Sequence, residues 1–429
     1  MNPPSGPPVT VIRGRALLGS RVVPDSAVAI AGAGILYAGP EAELASALAD
    51  ALAGAGTGTG TLNEVQLAPG QLAVPGLVDL HCHGGYGTDF PSADAAFART
   101  ALRRMHAAGT TTVLASLVTA APDDLLAGLE VFAGLAETGD VAGIHLEGPF
   151  LSTARCGAQD PRWLRAFDPD FAAALLAAGR GQLRTMTYAP ELPGADELVD
   201  LLTAHGVVPS LGHTAATAHD AGASLARAAA GLASAGASGD PDLARSGPAA
   251  SGPSVPTVTH LFNGMDPLHH RSPGAVAAAL RAARAGKAVV ELIGDNVHLD
   301  PYLVATMFEL LGAGNIALVT DAMAAAGLDD GTYRLGPAEV LVRNGVARLE
   351  SGAIAGGTAS MLDLVRNAVT AGVPLETALR SATEVPARVL GVSGKIGTLA
   401  AGATADVLLL DTGLRVTGVM RHGVWISEG

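Results

Sequence analysis

The middle of the chain alternates short apolar runs with longer amphipathic stretches. The runs are rich in β-branched residues and carry polar residues mainly at their ends, the pattern of strands covered on both faces. Eight of them occur in order, at residues 74–83, 109–115, 141–147, 184–189, 207–213, 257–262, 288–293 and 315–321. Helical periodicity fills most of the gaps, as at 93–108, 123–137, 196–205 and 301–311. Eight strand–helix units over about 250 residues have the size of an α/β fold of the (β/α)8 TIM-barrel type.

The two ends have a different texture. Residues 9–13, 26–30 and 35–39 read as short strands, followed by a helical patch at 41–53 and a Gly/Thr tract at 54–60 expected to form a loop. Residues 406–411 and 416–420 again read as strands. A small β-sandwich domain built from both termini, 1–73 with 393–429, is therefore expected to flank a catalytic barrel at 74–392. The Ala/Gly/Ser/Pro-rich segment 226–256 breaks the rhythm and reads as a helix running into a long loop. No internal repeat is visible.

Composition narrows the partners. A formal charge of -14 over 429 residues argues against nucleic acid or an anionic membrane as the main partner. Cys82 and Cys156 form neither a disulfide framework nor a cysteine zinc motif, so a reducing compartment fits. Neither a secretory signal pattern nor a long uninterrupted apolar run occurs, and the expected location is the cytoplasm.

The candidate chemistry sits at the strand ends. His81 and His83 close the first run at spacing i, i+2, so they share one face of a strand and can hold one ion. Glu147, His213, His260 and Asp321 close the third, fifth, sixth and eighth runs. In a TIM barrel those ends converge on one site. Histidines with a carboxylate suit a divalent metal, zinc first, with iron, manganese or cobalt as alternatives. Such an ion lowers the pKa of water towards neutrality, and Asp321 can take that water's proton and return it to a leaving group, as amide hydrolysis requires. His145 shares the face of Glu147 and reads as support or packing. No role is assigned to His106, His205, His219 or His422.

These residues resemble the amidohydrolase superfamily and, more narrowly, its N-acetylglucosamine-6-phosphate deacetylase family. The resemblance rests on the runs 75–87, His145-Leu146-Glu147-Gly148-Pro149-Phe150, Leu211-Gly212-His213-Thr214 and Thr259-His260-Leu261-Phe262-Asn263-Gly264-Met265. It continues through Arg271-Ser272-Pro273-Gly274, residues 295–301, Val319-Thr320-Asp321-Ala322-Met323, Ile354-Ala355-Gly356-Gly357 and Ala405-Asp406-Val407. It implies hydrolysis of the acetamide of N-acetyl-D-glucosamine 6-phosphate to glucosamine 6-phosphate and acetate, in amino-sugar catabolism and cell-wall recycling. It also implies Glu147, His213 and His260 as metal ligands and Asp321 as catalytic base and acid. His81 and His83 are retained, so one or two ions per chain are open. Sugar-phosphate contacts are implied for Ala158, Gln159, Asn263, Gly264, Arg271, His298, Ile354, Ala355 and Gly356. The family's common pattern has histidine at position 159, where this chain has Gln159. A homodimer in which Arg271 serves the neighbouring site is implied too. A cyclic-amide hydrolase is the alternative, as is activity on a related N-acetylated amino sugar. Many cyclic-amide enzymes bridge two metals with a carboxylated lysine, and neither Lys287 nor Lys395 ends the fourth strand. A catalytically dead scaffold would lack a ligand or Asp321, and neither is missing.

Overall fold

The computed structural model describes residues 8–54, 61–238 and 254–426. Alternating valine, isoleucine and alanine near both ends produce strands that bury one side. β1 (Val9–Leu18), β2 (Arg21–Ala31) and β3 (Gly34–Pro40) form an antiparallel set, and β4 (Leu62–Gln66) and β5 (Leu72–Pro75) lie parallel to β1 along its other edge. The C-terminal strands extend this sheet from β5. Ile12, Val28 and Ile30 from the start of the chain pack in one cluster with Val407, Leu409 and Met420 from its end. The sheet thus folds over a core of its own.

At Gly76 the chain passes from this sheet to the next. Its N–H donates to the Asp406 carbonyl at 3.0 Å, and β6 (Leu77–Cys82) begins one residue later. A side chain has no room at this junction, because a Cβ on Gly76 would lie 2.1 Å from Thr111 Oγ1. The two-residue strands β7 (Gly84–Gly85) and β8 (Thr88–Asp89) then form a tight pair.

The remaining barrel strands are β9 (Thr110–Val118), β10 (Gly143–Glu147), β11 (Leu183–Tyr188), β12 (Val208–Leu211), β13 (Thr257–Val258), β14 (Val289–Leu292) and β15 (Ile316–Leu318). With β6 they form an eight-stranded parallel sheet in which every strand is buried along its whole length. All eight runs expected from the sequence are present. The sheet closes beyond the end of β15, where Asp321 N donates to the His81 carbonyl at 2.9 Å and His83 N to the Ala322 carbonyl at 2.7 Å. Closure therefore passes through the candidate ligands.

Helices start where the sequence offers caps. Asp94 and Asp300 cap the helices Ala95–Ala107 and Pro301–Leu311, the latter with proline in its first turn. The 226–256 segment begins within the helix Ala218–Ser238, while positions 239–253 of that segment, like 55–60 of the Gly/Thr tract, lie outside the described residues. Among the described residues no helix is long and apolar enough to cross a membrane.

An antiparallel meander that the strand and helix rhythm did not reveal follows β15. It consists of β16 (Gly331–Leu335), β17 (Ala338–Arg343) and β18 (Val346–Arg348). Its second turn, between β17 and β18, is Asn344-Gly345, both residues with positive φ, as a two-residue hairpin loop needs. Leu335, Val340, Val342 and Ala347 pack on Val118, Met323 and Ala355. The last strands are β19 (Val407–Leu410), β20 (Val416–Arg421) and β21 (Val424–Trp425).

The Gly76 junction gives a stability prediction. Gly76→Ala should cost about 1–3 kcal/mol, the usual penalty of overpacking a buried position. Chemical denaturation measures this, and an unchanged midpoint would show that Thr111 moves aside freely.

Candidate functional site

Six side chains expected at the site are brought together at the C-terminal end of the barrel. His81 and His83 approach each other with their Nε2 atoms 2.9 Å apart, and Asp321 Oδ1 lies 3.2 Å from both. Opposite them, Glu147 Oε1 is 2.9 Å from His213 Nε2 and 2.9 Å from His260 Nε2. The second oxygen of Glu147 reaches 3.3 Å from His83 Nε2. Glu147 thus spans two groups, His81–His83–Asp321 and Glu147–His213–His260, whose ligand atoms lie within 4.8 Å of one another in each group.

Four of these residues lie just past the strands they were expected to end, His83 directly after β6. His213, His260 and Asp321 follow β12, β13 and β15 and hold φ of +47°, +26° and +47°. That left-handed backbone is unfavourable for residues with a Cβ and is typical of constrained functional positions.

The ring tautomers follow from the outer nitrogens. His81 Nδ1 donates to Glu291 Oε2 at 3.2 Å, His83 Nδ1 to the Ser116 carbonyl at 3.2 Å and His213 Nδ1 to the Arg155 carbonyl at 2.8 Å. His260 Nδ1 is buried without a hydrogen-bond partner. In the neutral rings of the first three, each Nε2 lone pair then faces the others and the carboxylates. Asp79, Glu147 and Glu291 are buried alongside, at 2–3% exposure. A set of inward lone pairs and buried anions is a site for cations. Titration reflects the same demand. Burial alone would lower His83, but bonds to Asp321 and Glu147 override it and push its pKa up to about 10. Burial would raise the carboxyls of Glu147 and Asp321, yet the facing histidines hold both well below the usual range. The donor set fits divalent metal binding.

A cavity of about 260 Å³ opens above these residues. Its lining includes His83, Glu147, Ala158, Gln159, His213, His260, Asn263, Gly264, His298, Asp321, Ile354 and Gly356. His81 lies beneath it, fully buried, and Ala355 is packed behind it in the meander's core. Gly264 must be glycine: its φ is +61° and a Cβ would lie 2.9 Å from His213 Nδ1. Gly357 N donates to the Asp321 carbonyl at 2.7 Å, which pins the 354–357 turn to the site. Arg271 stands apart, exposed and outside the lining. Gln159 directs its amide at Glu147 Oε2, 2.6 Å away.

Several supporting residues were not singled out in the sequence. Glu291 Oε2 accepts hydrogen bonds from His81 Nδ1–H and, at 3.3 Å, from the His260 backbone N–H. A glutamate inside the apolar run Val289–Leu292 was the available signal. Asp79 shares the face of His81 by strand alternation and accepts from Thr320 Oγ1 at 2.6 Å. Burial raises its pKa to about 6. Asp295 accepts from His298 Nδ1 at 2.7 Å, and this bond outweighs burial to raise the His298 pKa. His145 bonds Ser116 Oγ at 2.9 Å and Thr187 Oγ1 at 2.8 Å and sets its ring edge-on to His81, so it supports the ligand layer from below.

The family model for the amidohydrolase family matches residues 72–426. The chain is similar to the N-acetylglucosamine-6-phosphate deacetylase of Bacillus subtilis (strain 168), 32% identical over 82% of this chain and 84% of the relative. It is also similar to the N-acetylgalactosamine-6-phosphate deacetylase of Escherichia coli O157:H7, 34% identical over 82% of this chain and 87% of the relative. Among solved structures, a mutant N-acetyl-D-glucosamine-6-phosphate deacetylase of Mycobacterium smegmatis, in complex with N-acetyl-D-glucosamine-6-phosphate, is 35% identical. Its TM-score is 0.81, with 99% of this chain and 100% of that one covered.

The carboxylate behind His81 can be tested directly. Glu291→Gln should weaken divalent-ion binding about 10–100-fold, the usual effect of losing a partner behind a ligand. Metal retained after dialysis against a graded chelator reports it. Wild-type retention in a folded variant would reduce Glu291 to packing.

Proposed function

From the premise that the chain belongs to the amidohydrolase family, we propose that it is a metal-dependent N-acetylglucosamine-6-phosphate deacetylase. It hydrolyses the acetamide of N-acetyl-D-glucosamine 6-phosphate to D-glucosamine 6-phosphate and acetate. The observation that carries this reading is the convergence of His83, Glu147, His213, His260 and Asp321 on one cavity with His81 directly beneath it, in a chain similar over nearly its whole length to a deacetylase bound to that sugar phosphate.

His81 and His83 would hold one ion, His213 and His260 a second, with Glu147 between them; zinc suits these donors best. Two separate groups of three facing ligands, His81–His83–Asp321 and Glu147–His213–His260, favour two. A divalent ion there supplies Lewis acidity and brings the pKa of water within reach of neutrality. The chain's own residues do the rest. Asp321 accepts the proton of the attacking water and delivers it to the departing amine. His298 faces the cavity with its Nδ1–H on Asp295, which favours the doubly protonated ring, and that imidazolium can donate from Nε2 to the substrate's carbonyl or phosphate oxygen. Asn263, Gly264, Ala158 and the 354–356 turn shape the sugar pocket.

The exposed position of Arg271 suits a contact across a homodimer, where its guanidinium would grip the phosphate of the neighbouring site. The catalytic unit is taken as residues 74–392, with 1–73 and 393–429 as the small β unit. The two cysteines, both free, suit the cytoplasm.

Acetate release from N-acetylglucosamine and N-acetylgalactosamine, each with and without 6-phosphate, tests the function. Release should be greatest from N-acetylglucosamine 6-phosphate, and none from any phosphorylated sugar with metal supplied would defeat the reading. Asp321→Asn should lower turnover at least about 10²-fold with the fold intact, since acid–base catalysis is worth about 10²–10⁴-fold. Near-normal turnover in that variant would move the proton transfer elsewhere. Arg271→Ala should cost roughly 1.5–3 kcal/mol in binding the 6-phosphate, read as a raised KM, and little for the neutral sugar. Recovery of activity in mixed Arg271→Ala and Asp321→Asn dimers would place the arginine across the interface.

A further inference from the structure

We propose that Gln159 is a positioning residue that fixes the Glu147 carboxylate between the two histidine pairs; this rests on reading the cluster as a divalent-metal site. Gln159 is 6% exposed and spends both ends of its amide on the protein. Its Nε2 donates to Glu147 Oε2 at 2.6 Å, and its Oε1 accepts the Thr119 N–H at 2.8 Å. Thr119 in turn donates its hydroxyl to the Glu147 backbone carbonyl at 3.0 Å. The three residues form a closed set anchored on the ends of β9 and β10, which pair in register at Val118 and Glu147.

The direction of each bond fixes the amide. A backbone N–H can only donate, so the carbonyl end of Gln159 faces Thr119 and the NH2 end faces the carboxylate. This bond determines how Glu147 turns about its last torsion, which is soft for a carboxylate. With Oε2 held by Gln159, Oε1 faces His213 and His260 while Oε2 remains 3.3 Å from His83. Without it, the carboxylate can rotate so that it no longer serves both pairs. A neutral histidine offers one donor and one acceptor at opposite corners of a rigid ring. Glutamine offers both at the tip of a flexible chain, which lets position 159 bridge Thr119 and Glu147. One amide N–H stays available to a sugar hydroxyl.

The two roles separate experimentally. Gln159→Leu removes both bonds, and Gln159→Met does so while keeping the length and flexibility of the side chain, which guards against a folding defect in the first variant. Zinc affinity, measured by competition with a chromogenic chelator, is read without reference to turnover. In both variants it should fall about 10–100-fold. At saturating zinc, kcat should fall while KM for N-acetylglucosamine 6-phosphate stays within about twofold. Unchanged zinc affinity with a raised KM would overturn the inference and leave Gln159 as a substrate contact. Wild-type protein that takes up no divalent ion would instead remove the metal reading itself, and this inference with it.

Discussion

The site depends on an excess of negative charge in a place that water barely reaches. Asp79, Glu147 and Glu291 are almost wholly buried, and the Asp321 side chain is only 13% exposed. With Nδ1 of His81, His83 and His213 donating to Glu291 and to the carbonyls of Ser116 and Arg155, only a proton or a metal ion at the Nε2 atoms can balance this charge, and the raised His83 pKa is the proton's share of that demand. Buried anions of this kind are costly unless paired. The fold is therefore built for cations it does not itself supply, and binding them should stabilise it as well as serve the chemistry.

The same demand explains the local backbone. His213, His260 and Asp321 all hold positive φ, a conformation that costs on the order of 1–3 kcal/mol at each non-glycine position. The surrounding bonds overdetermine them. Asp321 is gripped by its N–H to His81 O and by Gly357 N to its carbonyl, and the His213 carbonyl accepts from Ser152 N. These are also the bonds that close the barrel and hold the site loops. Removing the strain would loosen closure.

The alternating runs made the barrel legible because all eight strands are covered on both faces, so periodicity and burial say the same thing. The ligand set was legible because barrel topology gathers strand ends, and six residues far apart in sequence needed only that rule. Three kinds of feature escaped. The left-handed turns at His213, His260 and Asp321 are set by tertiary bonds and leave no trace in composition. Supporting residues such as Glu291, Asp295 and Thr119 act through others, and their types are common in strands and loops. The β16–β18 meander has a different reason: its one strong signal is Asn344-Gly345 between alternating residues, a local hairpin cue inside a chain whose dominant period is strand–helix.

Directly beneath the ligands the barrel's interior is polar, with an apolar layer that includes Leu114, Val208, Val289 and Ala317 below it. Ser116, His145, Thr187, Thr259, Ser210 and Thr257 form one chain of hydrogen bonds of 2.6–2.9 Å. His145 meets His81 although β9 lies between their strands, so this layer faces inward under the site. A packed aliphatic layer would give more transfer energy at the same positions but no directional hold on the rings above. Stability comes from that apolar layer and from the large cluster that joins helices to strands, where Leu129, Phe132, Leu198 and Leu202 pack with Leu146 and Met186. The molecule thus divides its tasks by layer. Apolar contact around and below the polar layer pays for the fold, and oriented polar contact within it holds the ligands. Damage to the outer cluster should register first as lost stability, while damage to the inner chain of hydroxyls should register first as misplaced imidazoles.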